Sequence, residues 1–191
     1  MIFLEFNLVL KSSAFQFLPI WNKDKQSKIN KPMLYTQTRI GYKGIPFTIY
    51  KIKTFTEDGT KPTFFGSILR KAKLDELPQL YNLIKGDMVL VGPRPDLPGY
   101  ADALQGEDRI ILKVKPGITG LASLKYRNEE VVLAKQKNPK LYNDKIIWPD
   151  KVRINKWYVH HRTFFMDVKI ILYTLFPFPF DVDRYIENYK L

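Results

Sequence analysis

Asp75 and Glu76 are adjacent acids just ahead of Pro78, a residue tolerated in the first turn of a helix. One reading makes Asp75 a helix cap and nothing more. The other uses the same position chemically: a carboxylate near the positive end of a helix stays ionised, and free backbone N–H groups there hold phosphate. An ionised carboxylate can attack phosphorus to give a covalent acyl-phosphate. Glu76 beside it, with Asp75, suits Mg²⁺, which prefers oxygen ligands and substrate phosphates. The residues by themselves leave both readings open.

Arg94 lies in Gly92-Pro93-Arg94-Pro95. Flanking prolines stiffen the backbone, and a forked guanidinium matches phosphate oxygens; the alternative is a surface arginine in a turn. Arg70 and Lys53 are weaker candidates, because in a basic chain most cations face solvent. Asp167 is embedded in Phe164-Phe165-Met166 and Val168. A lone charge is costly to bury, so Asp167 calls for a partner: a basic side chain, a metal or a substrate. His160 and His161 lack a third ligand at zinc spacing. No P-loop, dinucleotide fingerprint or nucleophilic-serine elbow is present.

These residues need elements to hold them. The runs MLYTQTRI and PFTIYKIKT flank Gly41-Tyr42-Lys43-Gly44, which predicts a β-hairpin from Met33 to Thr54 with the glycines supplying positive backbone angles. A first helix is expected over Phe64 to Ala72. A second should open at Asp75 and close at Gly86, burying Leu77, Leu80, Tyr81 and Ile84 on one face. MVLVG is a short apolar run, and KPGITG, from Lys115 to Gly120, reads as a turn. Residues 129 to 147 form a charged, partly helical excursion. VRINKWYVHH and FFMDVKIILYTLF are helical, and the aromatic residues of the latter with the following PFPF suit a lipid interface.

Composition narrows the partners. The 191 residues carry 31 Lys and Arg against 19 Asp and Glu, a formal charge of +12, which draws in phosphates of nucleic acids, anionic lipids or small molecules. With no cysteine, disulfides, thiolate metal sites and cysteine nucleophiles are excluded. No run reaches the length needed to span a bilayer. The apolar N-terminus carries Glu5 and Lys11 without a basic leader, which argues against a secretory signal. Nucleic acid is not expected as a partner, since no recognition motif supports it.

Taken together, YKIKTF, FFGSILRKAKLDELPQLYNLIKGDMVLVGPRP, VKPGITGLAS and WYVHHRTFFMDVKIILYTL closely resemble the bacterial sugar transferases, the monotopic polyprenyl-phosphate phosphoglycosyl transferases. The resemblance runs from about Pro32 to Phe176. It implies a mixed α+β, mainly helical catalytic domain over 32–180, with a β-hairpin, short membrane-surface helices and a C-terminal tail at 181–191. It also implies transfer of a sugar-1-phosphate from a UDP-sugar to a polyprenyl (undecaprenyl) phosphate with release of UMP. In that scheme Asp75 is the nucleophile, Glu76 the magnesium-associated acid, Arg94 the phosphate-binding arginine and Arg70 a cation that positions the dyad. Lys53 matches a basic position of the strand motif, and Asp167 the acid before the closing helix. The implied location is the cytoplasmic face of the bacterial plasma membrane, against anionic lipids.

Two departures stand out. Ile154-Asn155 replaces a Leu-Asp pair common in the family, so Asn155 is left outside the catalytic set. Residues 1–31 do not supply the family's long re-entrant apolar helix, although Pro19 falls in an apolar context. That gap keeps a second reading in view, an inactive membrane-surface scaffold derived from the same fold.

Overall fold

The computed structural model describes residues 34–56, 61–176 and 178–189; the expectations for residues 1–31 lie outside them. Strands β1 (Leu34–Ile40) and β2 (Pro46–Ile52) pair antiparallel from Leu34↔Ile52 to Ile40↔Pro46, as the alternating sequence predicts. Their connection contains a 3-10 turn in which Lys43 (φ 59°) and Gly44 (φ 80°) take the left-handed conformation. Gly41 stays at φ −115°, so only one of the two predicted glycines supplies a positive angle.

Helix α1 (Phe64–Lys71) starts where Thr63 accepts a hydrogen bond from the Gly66 N–H at 2.9 Å. That side-chain cap satisfies one of the free donors of the first turn. Gly66 is pressed on Thr54: a Cβ there would lie 2.0 Å from the Thr54 carbonyl oxygen.

The second predicted helix is a 3-10 segment, Leu74–Gln79, continued by α2 (Leu80–Lys85) and closed by Gly86 at φ 83°. Its N-cap is Lys73, itself left-handed at φ 57°, and no side chain caps it, so Asp75 does not act as the cap. The expected buried face is also reversed. Leu77, Leu80, Tyr81 and Ile84 are exposed, Ile84 at 80%, whereas Asp75, Gln79 and Asn82 face inward. The inward stripe packs on β2, where the Asn82 amide donates to the Thr48 carbonyl at 2.7 Å. The Asn82 bond to the strand thus holds this polar stripe inward and leaves the apolar one outside.

Strand β3 (Val89–Val91) pairs in parallel with β4 (Gly117–Thr119). KPGITG therefore contains a short strand, where a turn was expected. Gly92, Gly117 and Gly120 make that approach possible, since a Cβ on Gly117 would sit 2.2 Å from the Gly92 nitrogen. A 3-10 stretch at Gly106–Lys113 helps form one small core with Ile40, Ala101, Ile111 and Leu112.

After α3 (Leu121–Lys125), the charged excursion resolves into α4 (Glu129–Ala134), α5 (Pro139–Tyr142) and a π-helical turn at Asn143–Ile147. Then come α6 (Trp148–His161), α7 (Phe164–Leu175) and α8 (Val182–Asn188). The larger core gathers Leu121, Ile154, Tyr158, Ile170, Val182 and Ile186, so the C-terminal tail contributes a packed helix. Burial of each such side chain contributes roughly 1.5–3 kcal/mol. On α7 the outward residues include Phe164, Phe165, Leu172 and Leu175, with Phe165 83% exposed. The architecture is α+β and mainly helical. Among the described residues no helix is long and apolar enough to cross a membrane.

Candidate active site

The 3-10 segment, β2 and the GPRP turn bring four charged side chains together. Glu76 receives the Lys51 ammonium on Oε1 at 3.1 Å. Arg94 grips the same carboxylate as a fork, donating to Oε2 at 3.2 Å and to Oε1 by a shorter bond. Such bidentate, charge-assisted pairs are strong and directional. Burial alone would raise the Glu76 carboxyl, but Arg94 and Lys51 outweigh it and bring it down to about 2. The Lys51 ammonium is itself lowered, because its burial exceeds the gain from Glu76.

Asp75 sits beside this cluster in a different state. It is 7% exposed and, among the described residues, makes no ion pair and no side-chain-to-side-chain hydrogen bond. Burial, then the negative charge of Glu76, push its carboxyl up; Lys51, Arg70 and its own backbone N–H oppose the shift. Two neighbouring acids are thereby split into one committed partner and one available carboxylate.

Around them stand further charged groups. Arg70 pairs with Glu130 of α4 and lies 5.0 Å from the Phe55 ring centroid. Lys151 of α6 holds Glu129 at 2.6 Å. Arg39 donates to the Pro95 carbonyl at 3.3 Å, and the Ile40 N–H to the Asp96 carbonyl at 2.9 Å, so the hairpin fixes the backbone that carries Arg94.

The sequence-predicted residues are therefore sorted. Glu76 and Arg94 meet directly, Asp75 lies beside Glu76, and Arg70 acts on Asp75 through its charge. Lys53 does not join them: β2 ends at Ile52, Lys53 is exposed, and the lysine that reaches Glu76 is Lys51. Among the described residues Asp167 finds neither a basic side chain nor the dyad. Its Oδ1 accepts from the Tyr158 hydroxyl at 2.7 Å, while that hydroxyl lies 3.4 Å from the Val91 carbonyl at the end of β3. Phe164 and Phe165 point away, so the charge is not enclosed by the run that surrounds it in sequence. Asn155 is buried in α6. The residues the sequence did not single out are Lys51, Glu129, Glu130 and Lys151. Lys51 had a visible signal, as the other lysine of YKIKTF.

A divalent ion is tested by the donors available. Mg²⁺ commonly takes one or two carboxylates and completes its shell with water and substrate phosphates. A carboxylate offers about four lone-pair directions, and Lys51 and Arg94 take three of those on Glu76, leaving one on Oε2. Asp75 is open. The pair fits Mg²⁺ with phosphate oxygens sharing its shell; among the described residues no group of three ligating side chains exists to hold a metal unaided. A cavity of about 430 Å³, lined by Tyr100, Leu104, Lys140, Asp144 and Trp148 among others, shares no residue with the dyad.

A model of the family described as bacterial sugar transferase matches residues 2–179. The chain belongs to this family. The match also takes in the stretch before Pro32, where the motif resemblance began. An uncharacterised sugar transferase of Bacillus subtilis is 37% identical over 158 residues, covering 78% of this chain and 70% of that protein. A UDP-glucose:undecaprenyl-phosphate glucose-1-phosphate transferase of Caulobacter vibrioides is 36% identical over 162 residues, covering 75% of this chain and 55% of its own length. The Escherichia coli transferase of the same name is 30% identical, with 76% of this bacterial sugar transferase aligned to 32% of the relative. The chain thus spans only part of several of its relatives.

Proposed function

We propose that this bacterial sugar transferase moves a sugar-1-phosphate from a UDP-sugar to undecaprenyl phosphate or a related polyprenyl phosphate, releasing UMP. The observation that carries the proposal is the division within the dyad: Glu76 is tied to Arg94 and Lys51, and Asp75 is left with a free carboxylate beside them. A nucleophile must not be spent on a structural ion pair, and phosphoryl transfer depends on positioning and on neutralising charge.

In the first step an Asp75 oxygen attacks the sugar-bearing phosphorus. The bond from that phosphorus to the bridging oxygen breaks, and UMP leaves with the electron pair. An oxygen of the lipid phosphate then attacks the same phosphorus, the bond to Asp75 breaks, and the carboxylate is restored. Arg94 and Lys51 keep Glu76 in place and present positive charge to the phosphates, and Arg70 adds positive charge that acts on Asp75. Mg²⁺ held by Asp75, Glu76 and the donor phosphates would supply further neutralisation of phosphoryl charge.

The outward apolar stripe of Leu77, Leu80, Tyr81 and Ile84, together with Phe64, Phe65, Phe164 and Phe165, supports a resting place on the cytoplasmic membrane surface. The charge of +12 suits anionic headgroups. Such a protein would perform the first membrane step of exopolysaccharide, capsule or O-antigen assembly.

The deciding experiment measures UMP release from a panel of UDP-sugars with Mg²⁺ and a short polyprenyl phosphate, with Asp75→Asn as control. Release that vanishes in the variant, with the fold retained, is expected. Release that survives Asp75→Asn would refute the nucleophile, and a folded wild type that releases nothing beside an active relative would favour the scaffold.

A further inference from the structure

Two arginines near the dyad each hold an acid, and the two acids differ in kind. Arg94 grips Glu76, whose side chain is 14% exposed; Arg70 pairs with Glu130, whose side chain is 78% exposed. A buried charge pair is costly to break, whereas an exposed one contributes little and gives way to another partner. Glu130 lies in the first turn of α4, a helix with no buried residue, and Val131 and Val132 after it are exposed as well. Packing therefore does not commit Glu130 to Arg70.

Arg70 itself is tied to the dyad. It lies in the last turn of α1. The Lys73 N–H donates to the Arg70 carbonyl at 3.1 Å and the Glu76 N–H to the Lys73 carbonyl at 3.4 Å, so two turns of backbone join the arginine to the acids. Its charge acts on Asp75, against the burial that raises that carboxyl. The Phe55 ring, with its centroid 5.0 Å from the guanidinium, attracts the cation whichever anion it faces.

We infer that Glu130 is a placeholder counter-ion, which occupies the Arg70 guanidinium in the resting protein and is displaced from it by the diphosphate of the nucleotide-sugar donor. Carboxylate and phosphate oxygens suit the same guanidinium donors, so one can replace the other. The diphosphate carries more charge than one carboxylate, which favours the exchange. Glu130 acts through Arg70 and touches no reacting atom. It is a positioning residue that sets how much of the Arg70 attraction the donor receives. The inference rests on the transferase reading.

The test measures binding of UDP, which carries the diphosphate without the sugar, by calorimetry with Mg²⁺ present. Glu130→Gln should bind UDP about two- to fivefold more tightly than the wild type, the span that exposed ion pairs cover. In UMP release the same variant should lower KM for the donor by a similar factor and leave kcat within about twofold, because the Arg70 contact, once made, serves ground and transition states alike. Loss of a negative charge would favour an anion even without exchange. The gain must therefore disappear in the Arg70→Gln background.

Equal or weaker UDP binding in folded Glu130→Gln would overturn the inference while leaving the transferase intact, and so would a gain that persists once Arg70 is replaced. If the wild type neither binds UDP nor releases UMP, this inference and the function it rests on fall together.

Discussion

Replacing Glu76 by glutamine removes the charge that Lys51 and Arg94 share, and the consequence for stability can be worked through. The carboxyl lies at about 2 in the folded protein against an ordinary 4.5. That difference corresponds to about 3 kcal/mol of folding free energy at neutral pH. Its sign follows from proton uptake. On lowering the pH the unfolded chain takes up the Glu76 proton near 4.5, the folded chain only near 2. The contribution is complete above the first value and disappears as pH falls to the second. Glu76 is largely shielded from solvent, with a side-chain exposure of 14%, so screening removes little of it.

Urea titrations followed by tryptophan fluorescence should therefore find Glu76→Gln about 3 kcal/mol less stable than the wild type at neutral pH. Towards about pH 2 the two should converge, because protonated Glu76 and glutamine are then alike in charge. A difference below about 1 kcal/mol at neutral pH, or one that does not change with pH, would refute the reasoning, since the ion cluster would then contribute no net stability.

Two further outcomes are expected. Ile84→Glu changes a side chain that is 80% exposed, so Tm should hold while sedimentation with phospholipid vesicles weakens about tenfold; unchanged vesicle binding would remove this face from the membrane contact. Gly66→Ala would place a methyl group 2.0 Å from the Thr54 carbonyl oxygen, which a backbone atom cannot yield without displacing α1. A loss of about 3 kcal/mol or more is expected in the same urea titration, and a near-neutral effect would mean that the helix start is able to shift.

Much of this was legible before any coordinates. The hairpin followed from alternation and glycine placement, Phe64–Lys71 from its apolar pattern, and the Asp75–Glu76–Arg94 grouping from the resemblance. Periodicity did mark Leu77, Leu80, Tyr81 and Ile84 as one face. It could not say which way the face points, because a helical stripe has the same spacing whether it meets a core or an apolar surface outside the chain. Lys51 and Lys53 alternate alike in sequence, and only the end of β2 at Ile52 separates their fates. The partner of Asp167 was illegible for a related reason. Tyr158 lies across a helix break on α6, and Phe164 and Phe165, which made the acid look enclosed, turn outward.

The crossing of Gly92 with Gly117 and Gly120 bears on how this protein can change. Arg94 is reached from β3 through a contact in which backbone touches backbone: besides the approach of Gly117, a Cβ on Gly120 would lie 2.2 Å from the Gly92 carbonyl oxygen. No side chain mediates that joint, so repacking the interior has little leverage over where the guanidinium sits, and almost any replacement at the three glycines would displace it. Laboratory evolution towards a new donor sugar should accordingly leave this joint untouched and accumulate its substitutions among the charged side chains near the Glu76–Arg94 pair, such as Glu129 and Lys151.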